Sequence, residues 1–124
     1  MGDGKRVLFI GLDPTVVEYD RWPGLTRDKL EAALKADRDA LAAAGYAVSV
    51  CFVDRGETAE RVVAETLGRQ RYDCIMVGAG VRKDDAQFLL FEKLINVIHR
   101  HAPDAAICFN TGPTDSAAAV QRWL

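Results

Sequence analysis

Several things are missing from this 124-residue chain: an excess of charge of one sign, a membrane-length apolar run, paired cysteines and any clustered set of metal-binding residues. Sixteen Lys and Arg stand against eighteen Asp and Glu, a formal charge of -2 with a pI near 5.6, so no broad basic field exists to gather nucleic acid or anionic lipid. Every apolar run stops far short of the roughly 20 residues that cross a membrane. The three cysteines, Cys51, Cys74 and Cys108, are odd in number, and each sits inside an apolar run without close CxxC spacing. They read as small buried thiols in a reducing compartment. The two histidines, His99 and His101, lie two apart on a helical stretch and diverge around it, so they do not share a metal and no metal site is expected. Ser-His-Asp sets, HExxH, Walker loops and zinc patterns are all absent, which leaves no enzyme signature and no assignable cofactor. Met1 to Arg6 precedes an apolar run too short for a signal peptide, so a cytoplasmic location is expected.

What is present is one domain's worth of alternating pattern, with 49% hydrophobic and 27% charged residues, and a single domain over 1–124 is expected. Apolar runs and helical periodicities alternate four times. Arg6 to Ile10, Tyr46 to Val53, Tyr72 to Ala79 and Ala105 to Phe109 read as strands, each stopped by turn residues. Between them the spacing predicts a helix capped by Thr26 and running to about Ala44, and a second capped by Thr58 with Ala59, Val62, Val63, Thr66 and Leu67 inward. A third runs from about Asp85 to His101, and a last helix ends at Leu124. Asp37 falls on the apolar stripe of the first helix and is placed at its margin, because an acid is seldom buried. Strands joined by helices need right-handed crossovers, so the class is α/β: an open parallel four-stranded sheet with helices on both faces, in the commonest doubly wound order, 2-1-3-4.

That order reverses between strands one and three, where a crevice opens at the carboxyl ends. Asp13 follows strand one and suits either a ligand carboxylate, the one candidate catalytic base, or an Asx turn before Pro14. Gly78 and Gly80 allow close approach, Arg82 with Lys83 offers positive charge, and Thr111 with Thr114 brings hydroxyls to a strand-to-helix turn. Capping by Thr114 or Asp115 explains the last two residues equally, and an acid at 115 competes with an anion for the same amides. The fifteen residues from Gly11 to Leu25 are long for such a connection and carry Tyr19, Arg21 and Trp22, the makings of a lid or of a packed Ω-loop.

With these units placed, the chain resembles the flavodoxin-like superfamily, and more specifically a shortened response-regulator receiver domain without its phosphoacceptor. Asp13 matches one of the acidic pair after strand one and Thr111 the hydroxyl after strand four, while Gly78 stands at the phosphoacceptor position. The resemblance implies the fold and a protein contact as output. From the residues themselves the expected function is binding of a small polar, anionic molecule at the carboxyl ends of strands one and three; the alternative is a non-catalytic receiver-like interaction module. A homodimer is expected through the third helix and fourth strand. Ala106 to Phe109 lacks edge-guarding charge or proline, and Phe88, Leu89, Leu90, Phe91, Leu94, Ile95, Val97 and Ile98 exceed one stripe.

Overall fold

Four apolar runs become four parallel strands in the computed structural model, which describes residues 3–124. They are β1 (Arg6–Leu12), β2 (Ala47–Val53), β3 (Cys74–Val77) and β4 (Ala106–Phe109), ordered β2-β1-β3-β4 as the alternation predicts. This open α/β sheet is consistent with a flavodoxin-like fold. Phe9 of β1 lies opposite Val50 on one side and Met76 on the other, and Met76 lies opposite Cys108. β3 is buried along its whole length, which is why its sequence is apolar without alternation.

The helices are α1 (Arg27–Ala43), α2 (Ala59–Arg69), the single turn α3 (Ala79–Arg82), α4 (Phe88–His101) and α5 (Ser116–Gln121). On one face, Leu8, Ile10, Ile75 and Val77 pack against Val63 and Leu67 of α2 and Leu90, Leu94 and Ile98 of α4. On the other, Val7, Phe9, Met76 and Cys108 pack against Leu41 of α1 and Ala119 and Val120 of α5. All three cysteines are buried and free, and the Cys74 thiol donates to Cys108 Sγ at 3.3 Å. Burial of each large aliphatic residue is worth about 1.5–3 kcal/mol, so Leu94 and Ile98 anchor α4 strongly.

Several expectations are corrected. The third strand, expected over Tyr72 to Ala79, spans only Cys74–Val77: Gly78 sits at an N-cap and the chain turns at once into α3. The helix expected from Asp85 opens with a 3₁₀ turn over Asp85–Gln87, and the last helix stops at Gln121 rather than Leu124. Thr58 makes no capping bond of its own. Instead the Asp54 carboxylate accepts from the Gly56 and Thr58 amides and the Thr58 hydroxyl, because a carboxylate accepts several donors where a hydroxyl accepts fewer. The apolar surplus of α4 is also smaller than its composition suggests. Phe91 is half-buried against Phe109, their rings 5.8 Å apart, and only Phe88 and Leu89 stand well out, 60% and 73% exposed.

Two glycines are set by a side chain. A Cβ on Gly11 would lie 2.6 Å from the Phe9 ring, and one on Gly78 3.1 Å from it, whereas Gly80 would meet only Leu12 Cβ at 3.9 Å. Gly11→Ala should therefore cost about 1–3 kcal/mol by overpacking, while Gly80→Ala stays within about 1 kcal/mol of wild type. Urea denaturation of the two variants checks this contrast.

Candidate functional site

The turns after β1, β3 and β4 do share one rim, where Gly11, Leu12, Gly78, Ala79, Gly80, Asn110, Gly112 and Pro113 surround a crevice of about 80 Å³. Its polar groups, however, are largely engaged with one another. The Asp115 carboxylate accepts from the amides of Thr111 and Gly112 and from the Thr111 hydroxyl, the position an incoming anion would need. Arg82 donates to the Asn110 carbonyl and lies over the Phe109 ring, 5.4 Å from its centroid, while its Nε is buried without a partner. Lys83 donates to the Thr111 carbonyl, and Arg122 donates to that of Phe109 at 3.0 Å. Three successive carbonyls at the end of β4 are thus each held by a cation. Thr114 is exposed.

The long first connection is fastened at both sides of this rim. It holds two 3₁₀ turns, Pro14–Val16 and Tyr19–Arg21, joined by a hydrogen bond from the Tyr19 hydroxyl to the Pro14 carbonyl at 2.7 Å. Arg55, beyond β2, pairs with Glu18 and donates to the Val16 carbonyl at 3.0 Å. Arg21 pairs with Asp84 at 3.0 Å. Of the three lid candidates, Tyr19 and Arg21 therefore act as ties, and Trp22 remains exposed.

Asp37 is not at a margin but buried, a correction whose physical reason is a partner far away in sequence. Its carboxylate accepts from the Ser116 amide at 3.3 Å and from the Ser116 hydroxyl, capping α5 from α1. Asn110 Nδ2 donates to Ser116 Oγ at 3.0 Å, and Asn110 Oδ1 accepts from the Ala79 amide at 2.9 Å. The chain of bonds therefore runs from α1 through α5 and the end of β4 to the start of α3. Sequence reading missed Asp37, Asn110 and Ser116 as a group; the one available signal was an acid on an apolar stripe.

Beside this chain, α1 leaves the edge strand only partly covered. Phe9, Pro14, Leu34, Leu41, Val48, Val50 and Phe52 line a groove of about 270 Å³ between α1 and β2, with Asp13, Glu31, Lys35, Asp37 and Arg38 among its polar groups. Glu31 is paired with Arg27 at 3.1 Å and Lys35 with Asp39 at 2.9 Å, and Asp37 faces Ser116. Asp13 forms the Asx turn: its Oδ1 accepts from the Thr15 amide at 2.9 Å and hydroxyl at 2.8 Å. No described residue donates to its Oδ2. Asp13 thus joins the groove rather than the crevice, while Gly78 and Gly80 line the crevice and Arg82, Thr111 and Thr114 line neither. No group of three or more His, Cys, Asp or Glu suited to a metal occurs among the described residues. No helix among them is long and apolar enough to cross a membrane. No protein-family model matches the chain, and no curated protein matches it in sequence.

The carboxylates respond to pH in opposite senses. Burial holds the Asp37 carboxyl above its ordinary 3.8, outweighing the two Ser116 hydrogen bonds that pull it down. The Thr111 hydroxyl first, then the amides of Thr111 and Gly112, hold Asp115 below 3.8. An acid whose pKa rises on folding contributes stability that is full below the unfolded value and is lost as pH rises through the folded one; a lowered pKa gives the reverse. Asp37→Asn should therefore gain on wild type as pH rises from about 4 towards neutrality. Asp115→Asn should trail wild type above 3.8 and recover as pH falls through the lower folded value. Urea titrations over a pH series test both slopes.

Proposed function

We propose that this domain binds a small molecule in the groove that runs along β2 beneath α1, with Asp13 at the groove's end. The observation that carries this reading is the pairing of an apolar floor, formed by Phe9, Val50 and Phe52, with a carboxylate oxygen that no described residue occupies. Such a site suits a ligand with an apolar body and a cationic or hydrogen-bond-donating end, since few placed polar groups on an apolar lining are what orient a small ligand. Its volume lies just under the roughly 300–1,000 Å³ common for drug-sized ligands, which favours a small one. A polar anion at the rim, the expectation from sequence, draws support from the meeting of three turns there. Against it stand the Asp115 carboxylate on the amides and the carbonyl partners of Arg82 and Lys83.

Thermal shift against matched panels of small aromatic or aliphatic amines, carboxylates and phosphates tests the reading. An amine should raise the wild-type melting temperature, and Asp13→Asn should lose that response while its unliganded melting point stays within about 3 °C, because Asn retains the Oδ1 that makes the turn. Stabilisation by carboxylate or phosphate, lost with Thr114→Ala, would return the ligand to the rim. No response to any panel would leave the receiver-like contact module as the better reading. That second reading has an observation of its own: at the phosphoacceptor position stands Gly78, where a Cβ would lie 3.1 Å from the Phe9 ring.

A further inference from the structure

The two edges of the sheet are not equally open. In a parallel strand alternate residues direct both backbone groups to the same neighbour. Ala106 N–H goes to Asp73 in the segment leading into β3, so Ala106 and Cys108 face inward and Ile107 and Phe109 outward. The Phe109 carbonyl is taken by Arg122 and the Ala105 amide by the Ala102 carbonyl, leaving β4 only Ile107 with both groups uncommitted. β2 is different. Ala47 N–H and Val53 C=O turn towards the β1 side, bonding Lys5 and Asp13, so Val48, Val50 and Phe52 present their backbone groups outward. The whole strand, Ala47-Val48-Ser49-Val50-Cys51-Phe52-Val53, carries neither charge nor proline, the usual guards of an exposed edge. The same three residues direct their side chains into the open groove under α1, where Phe52 is 39% exposed.

We propose that β2 is the pairing edge of a two-fold homodimer, the occupant of this edge being a second copy of the chain. An antiparallel β2–β2 ladder centred on Val50 pairs Val50 with itself and Val48 with Phe52 of the partner subunit, joining two sheets into one of eight strands. The three side chains then form one apolar strip with their mates on the groove face. The axis also brings the two α1 helices side by side and antiparallel. Glu31 and Arg38 both line the groove, seven residues apart on one face of α1, and an antiparallel mate presents the same two charges in reversed order, a self-complementary pattern that argues for a like copy over an unrelated peptide. The mate walls the lateral side of the groove and leaves its end at Asp13 open. The inference does not depend on any ligand.

Sedimentation equilibrium at micromolar concentration, without ligand, is the test. The wild-type chain should show twice the chain mass, and Phe52→Lys, which places a charge on an already exposed position, should weaken association by at least about tenfold. Leu89→Glu, on the exposed shoulder of α4, should leave the dimer intact. Glu31→Arg and Arg38→Glu should each weaken it and together restore it. A wild-type chain of single mass overturns the inference, as does association that survives Phe52→Lys or is lost with Leu89→Glu. Circular dichroism confirms that each variant is folded.

Discussion

The hydrogen-bonded chain from Asp37 to Ser116, Asn110 and the Ala79 amide is the constraint on which the upper half of this structure depends. A buried carboxylate left alone costs several kcal/mol, and this one is tolerable because it receives both the amide and the hydroxyl at the start of α5. Ser116 in turn accepts from Asn110, whose remaining oxygen closes the first turn of α3. Four elements far apart in sequence are thereby held in one register. Asp37 and Leu41 are the buried positions of α1, and beside them a groove leaves Val48 and Val50 of β2 half-buried and Phe52 exposed.

The parallel strands were legible because they need only local information, apolar runs too short for helices separated by periodic segments that demand crossovers, and their order follows the commonest doubly wound arrangement. Local acid–hydroxyl pairs were legible only in part. Asp115 was read as competing for the amides of its turn and does take them, four residues from Thr111, whereas the cap assigned to Thr58 is supplied by Asp54, also four residues away. The role of Asp37 was not legible, since its partner lies 79 residues away and only the finished fold brings them together. Gly78 was likewise open to two readings. It suggested room for a ligand, but the Phe9 ring crowds the space above it, 3.1 Å from where a Cβ would lie. A neighbouring side chain and a ligand leave the same mark on a sequence, an obligatory glycine.

Charge on the rim illustrates the same ambiguity in electrostatics. Arg82, Lys83 and Arg122 are cations beside a strand-to-helix turn, the composition of an anion site, yet each holds a main-chain carbonyl at the end of β4. The edge that lacked guarding residues in its own sequence is guarded by residues from α3 and α5. Protection of an edge strand is therefore a tertiary property, and inspection of the strand alone misses it. Applied to β2, the same inspection of every neighbouring element finds no such guard among the described residues.

In an open α/β sheet the crevice at the reversal of strand order is the usual place for a ligand, because loops diverge there. Here that crevice narrows to about 80 Å³, since the loops that should diverge are instead tied to one another through Asp115, Arg82, Lys83 and Arg21. The larger open volume lies at the edge, about 270 Å³ between α1 and β2. Asp13 is the hinge between the two places. Its Oδ1 completes a turn on the rim while the residue itself lines the groove, so the carboxylate expected at the switch point belongs to a site one strand away.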